Sequence, residues 1–148
     1  MPPPASITVD DSLWPLLVIR MVGMVPLPEF EAYLDRRLGY LRRGEKHVSI
    51  YDARQASFLP AEHRRVQVDW LKEHSPLHDK VVLGSAVVLS SPVLQLSLRA
   101  LLYFFPRSVP YYVSASVDEA ARWALDRLRE GGVSAPYEHI RPRFGLPP

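Results

Sequence analysis

The sequence predicts an α/β domain built on a single open, mixed sheet, with elements in the order β-β-α-β-α-β-α-β-α. Two adjacent strand-like segments open the chain, each ended by a turn signal. After them, segments with one apolar stripe at helical spacing alternate with short strand-like runs, the pattern of crossover units on a largely parallel sheet. Residues 81–89 are almost continuously apolar, as a strand covered on both faces requires.

The elements follow in order. Ile7-Thr8-Val9-Asp10 alternates, Asp10-Asp11-Ser12 is a turn cluster, and Leu16 to Val22 is a second strand that Gly23 ends. Pro26 and Pro28 stand where a helix begins, since proline is tolerated in a first turn. Leu27, Phe30, Leu34, Leu38 and Leu41 then form one stripe, with acids early and Arg42 and Arg43 late, the order the helix dipole favours. His47 to Asp52 reads as a third strand. A second helix runs from about Pro60, with Val66, Trp70, His74 and Leu77 on one face, and Pro76 is expected to end it. After the central strand 81–89, Ser90-Ser91-Pro92 starts a third helix reaching about Phe104. Val109 to Val113 is a fifth strand, placed at an edge by Pro110. Ser116-Val117-Asp118-Glu119 is a capping box opening a last helix with Val117, Ala121, Ala124 and Leu128 inward, closed by Gly131-Gly132.

With 148 residues, the chain suits one domain. We assign 1–5 to a disordered lead-in, 6–132 to the domain and 133–148, which shows no period, to a C-terminal tail. The hydrophobic share of 47% and charged share of 23% are globular values. Eighteen Lys and Arg against 16 Asp and Glu leave a formal charge of +2, too little for a nucleic-acid footprint without a clustered patch. Arg36, Arg37, Arg42 and Arg43 read as a solvated helix face interleaved with acids, so no nucleic-acid partner is expected. The chain has no cysteine, which excludes disulfides, thiol nucleophiles and cysteine-held metals and is compatible with a cytoplasmic setting. The N-terminus lacks the basic and apolar regions of a secretory signal. Leu16–Leu27 is about half the roughly 20 residues a membrane helix needs, and 81–105 is broken by Gly84, serines, Pro92, Gln95 and Arg99. No transmembrane segment is expected.

The element order, the Tyr51-Asp52-Ala53-Arg54 strand end and Val117-Asp118-Glu119-Ala120-Ala121-Arg122-Trp123-Ala124-Leu125 together resemble the STAS superfold, and within it the bacterial SpoIIAA-like group. The resemblance covers about residues 6–130 and implies a single-domain STAS-like (SpoIIAA-like) fold. In phosphorylation-switched members, the helix after the third strand starts with an Asp-Ser-Ser-Gly-Leu-like sequence. Here that junction reads Arg54-Gln55-Ala56-Ser57-Phe58-Leu59-Pro60-Ala61, with Ser57 several residues before the helix, a departure from the switch pattern. SpoIIAA-like proteins are also similar to the CRAL-TRIO lipid-carrier fold, which implies an apolar ligand by analogy.

Little in the sequence speaks for catalysis. His74 and His78 have the spacing of a metal pair, but Pro76 stands between them. Ser90 or Ser91 with His63 and Asp52 lacks a nucleophile elbow and an oxyanion hole. Gly84 stands alone, without a Gly-rich phosphate loop, and no cofactor is expected. Asp52, Arg54, His63, Arg64 and Arg65 fall at the carboxyl edge of the sheet, where α/β proteins place ligands, and are candidates to contact an anion or an acidic partner. The opposing interpretation pairs Asp52 with Arg54 and leaves His63, Arg64 and Arg65 on a wet helix face.

The third helix is the least ordinary segment. Val93, Leu94, Leu96, Leu98, Leu101, Leu102, Tyr103, Phe104 and Phe105 leave only Gln95, Ser97 and Arg99 polar. A helix apolar nearly all round needs cover beyond its sheet-facing side. The tail with Tyr137, Ile140 and Phe144, a second copy of the chain, or an apolar ligand or membrane surface are the available covers. We therefore expect a non-catalytic regulatory or scaffolding module acting through protein–protein contact, a homodimer among the candidate assemblies, with the third helix and tail as interface. The alternative is a carrier or sensor of a lipid or other apolar small molecule. Leu94, Leu98, Leu101, Leu102 and Phe105 are the candidate residues under either reading.

Overall fold

The structure, a computed structural model, describes residues 3–104 and 108–147, and of Phe104 only the backbone. Phe105 therefore lies outside the described residues. Five strands form one sheet: β1 (Ser6–Leu13), β2 (Leu16–Gly23), β3 (His47–Ala56), β4 (Val82–Val88) and β5 (Tyr111–Ser114). Five helices accompany them: α1 (Leu27–Arg42), α2 (Ala61–Val81), α3 (Pro92–Phe104), α4 (Val117–Glu130) and α5 (Tyr137–Arg143). The strands lie in sequence order, with β1 antiparallel to β2 and the remaining pairs parallel. The expected element order is thus observed, with one helix added in the tail.

This strand order decides where the helices go. Parallel strands joined by right-handed crossovers, all stepping in one direction, place every crossover helix on the same face. Accordingly α1 and α2 pack together on one face, over a core of Leu17, Ile19, Phe30, Leu34, Trp70 and Val82. The α3 helix joins them there, its main contact being β5. The opposite face is left to α4, which packs on β3, β4 and β5 around Leu16, Val48, Ile50, Ala86 and Val88.

The tail completes that second core. Ile140 of α5 and Leu146 are buried among the α4 residues, with Tyr137 and Phe144 packed against them. The tail therefore does not cover α3, and an interface shared by tail and third helix is not formed. An apolar stretch joins whichever core its connection lets it reach, and residues 133–147 leave α4 on the far side of the sheet.

Other departures are local. The third strand runs to Ala56 rather than ending at Asp52, because Gln55 and Ala56 pair with Val22 and Gly23 beyond an irregularity in the β2 ladder. The second helix does not stop at Pro76 but continues to Val81. Proline removes a hydrogen bond to the carbonyl four residues back, here that of the exposed Lys72, which water can satisfy. Half of the capping box forms as expected, with the Ser116 hydroxyl accepting from the Glu119 amide at 3.3 Å. The other half is relayed: Glu119 accepts from the Ser114 hydroxyl at 2.7 Å, and that hydroxyl accepts from the Ser116 amide at 3.0 Å. Gly132, at φ +69°, closes α4, with the Val133 amide reaching back to the Leu128 carbonyl at 3.0 Å.

Candidate functional site

Three Leu-rich turns of α3 stand over the sheet beside α1 and α2, and a cavity of about 730 Å3 lies between them. Its roof is Leu94, Leu98, Leu101 and Leu102. Its floor is Tyr51 and Ala53 of β3, Val87 of β4 and Tyr111 of β5, residues that alternate with the α4-facing Ile50, Asp52, Ala86 and Val88. Phe30, Tyr33 and Arg37 of α1 and Gln67 and Leu71 of α2 form the walls. Phe58, 82% exposed, sits at the rim. The volume is in the range of roughly 300–1,000 Å3 typical of small-molecule pockets, and the lining is mostly apolar, as such pockets are.

The wall holds one charge. Arg37 was expected on a solvated face, yet its guanidinium carbon lies 4.7 Å from the Trp70 ring centre, 5.4 Å from that of Tyr51 and 5.8 Å from that of Tyr33. Each ring face offers the partial negative charge that attracts a cation. Burial pushes the Tyr33 phenol well above its ordinary value, so it stays neutral. No carboxylate lies within ion-pair distance of Arg37 among the described residues. The sequence carried a signal for this: positions 30, 33, 37 and 41 share one helix face, three of them aromatic or leucine.

The residues predicted at the carboxyl edge of the sheet are not brought together. Asp52, on the α4 face, accepts from Arg54 Nε at 2.9 Å and Arg54 Nη2 at 2.8 Å, and Arg20 Nε lies 3.4 Å away. Those Arg54 hydrogen bonds hold its carboxyl below the usual carboxylate range, against the opposing effect of burial. Asp52 is thus a fixed counter-ion, poorly suited to carry a proton in a reaction. With Met21, Gln55 and Ser90 these groups line a polar hollow of about 400 Å3. His63 lies on the other face and is buried rather than wet, its Nε2 donating to the Val25 carbonyl at 2.9 Å and its ring against Phe30. Arg64 and Arg65 are exposed.

The outer side of α3 is open to solvent. Val93 is 71% exposed, Leu96 68% and Tyr103 80%. No helix among the described residues is long and apolar enough to cross a membrane.

No protein-family model matches the sequence, and no curated protein matches it. Among solved structures, the chain is similar to an uncharacterized protein of the DUF3478 family with a SpoIIAA-like fold from Shewanella loihica PV-4. That likeness has 15% identity and a TM-score of 0.64, over 81% of this chain and 93% of that one. It is also similar to an anti-sigma factor antagonist from Mycobacterium paratuberculosis, at 14% identity and a TM-score of 0.54, over 85% of this chain and 100% of that one. The chain has the SpoIIAA-like fold, as its element order implied.

Proposed function

We propose that this chain is a non-catalytic regulatory module that takes an apolar small molecule beneath α3 and reads its presence out through the position of that helix. The cavity carries the reading. A helix whose leucines roof an apolar space of about 730 Å3, instead of closing onto the sheet, leaves apolar surface that a ligand would cover. The pairing of Asp52 with arginines supports a role without catalysis. A cytoplasmic setting is part of the same proposal.

The test uses N-phenylnaphthylamine, an uncharged dye whose emission rises in apolar surroundings. The native chain is expected to bind it, and Leu98→Asp to lose it while keeping its far-ultraviolet circular dichroism. A native chain that leaves the dye dark rejects the reading.

A second reading has its own observation, the exposed Val93, Leu96 and Tyr103 on the outer side of α3. Here α3 alone is the docking surface for a protein partner or a second copy of the chain, and the anti-sigma factor antagonist of the same fold makes a regulatory partner reasonable. Native mass spectrometry of the chain beside Leu96→Asp checks the homodimer: a dimer that the substitution splits supports it.

A further inference from the structure

We infer that the molecule taken under α3 is a single-chain amphiphile with a carboxylate head, a free fatty acid, its head placed on the Arg37 guanidinium and its tail along the α3 leucines. The inference rests on the proposed cavity-binding reading and specifies the ligand.

Three observations lead to it. Arg37 is the only charged side chain among the described residues lining the cavity. A cation drawn out of water costs free energy unless it is paired, and here the charge meets ring faces and no carboxylate. The acids of its own helix, Glu29, Glu31 and Asp35, are all exposed, and none is ion-paired with it. The rings compensate part of the missing hydration and Tyr33 takes part of the guanidinium's hydrogen bonding, while the planar fork, with five donors, matches a carboxylate in bidentate geometry.

The charge count narrows the head group. One guanidinium balances a monoanion, and Tyr33, whose phenol burial keeps neutral, lines the cavity beside it without adding charge. A phosphate dianion would bring a second negative charge with no second cation to meet it. The rest of the lining suits a hydrocarbon tail: Leu94, Leu98 and Leu102 above, Val87 and Ala53 below. A neutral lipid would gain from these walls and nothing from Arg37.

The experiment is displacement of N-phenylnaphthylamine from the full chain by dodecanoate, dodecanol and dodecyl phosphate at neutral pH. Dodecanoate is expected to act at a concentration at least about tenfold below dodecanol, the size of a charge-assisted contact. Arg37→Gln is expected to bring the two ligands level while still binding the dye, and Arg37→Lys to keep part of the preference. Dodecanoate and dodecanol acting equally on the native chain would overturn the head-group assignment and leave the cavity reading standing. Dodecyl phosphate acting below dodecanoate would overturn the choice of carboxylate. A chain that binds neither the dye nor any of the three ligands would overturn both readings. The native-chain ratio decides the matter even if an Arg37 variant fails to fold.

Discussion

The helices on either side of β5 make an instructive pair. Along α3, leucines, valine and aromatics are interrupted by three polar residues, yet none of its described side chains is fully buried. The α4 helix is rich in charge, and it buries Ala120, Ala121, Ala124, Leu125 and Leu128. Apolarity alone therefore does not decide burial. The small alanines of α4 pack flush on the sheet, and its one large ring, Trp123, fits over Gly84, where a Cβ would stand 2.6 Å from it. The leucines of α3 hold it off, and on that crowded face the neighbouring α1 and α2 leave a space that no side chain fills.

The sharpest test of the difference is truncation. Leu128→Ala removes a fully buried side chain and is expected to cost about 2–5 kcal/mol, with the cavity it leaves included. Leu98→Ala, at a wall that already borders a void, is expected to cost less than about 1.5 kcal/mol in the same urea titration. Equal losses would mean that α3 is held as tightly as α4.

Enlargement reverses the ranking. Ala124→Leu forces α4 away from the sheet and is expected to destabilise by about 1–3 kcal/mol, and Gly84→Ala, meeting Trp123, does so for the same reason. Leu98→Phe fills space instead and is expected to raise stability by about 0.5–2 kcal/mol while weakening dye binding. A loss of stability in Leu98→Phe would place α3 nearer the sheet than described.

The two faces also answer differently to acid. His47, buried beside Trp14 on the α1 side, is held below its ordinary 6.5 mainly by burial. Its neutral form favours the fold, so this stability is present above about pH 6.5 and declines as the pH falls toward the lowered folded value. Asp52 on the α4 face is also held low, but its charged form is the favoured one. Its contribution is present above about pH 4 and is lost as the pH falls through the depressed folded value. Urea midpoints taken downward from pH 7 are expected to fall in two stages, the first flattened by His47→Gln and the second by Asp52→Asn. The second stage is the smaller, since both arginines around Asp52 remain largely in water.

The type and order of the elements were legible along the chain, because helical stripes, strand runs, caps and breakers are local signals. The stripe from Leu27 to Leu41, the run at 81–89 and the Ser116 cap each lie within a few turns of chain. The sequence also marked α3 as a helix with more apolar surface than one sheet contact can cover. What lies against that surface depends on contacts between distant parts of the chain. Strand order placed three crossover helices on one face, the docking of residues 133–147 closed the other, and pairing with β2 carried β3 on to Ala56. The same holds for Arg37. Its helix position is legible in the spacing, but its environment is built by rings from α2 and β3, which meet α1 only when the chain folds.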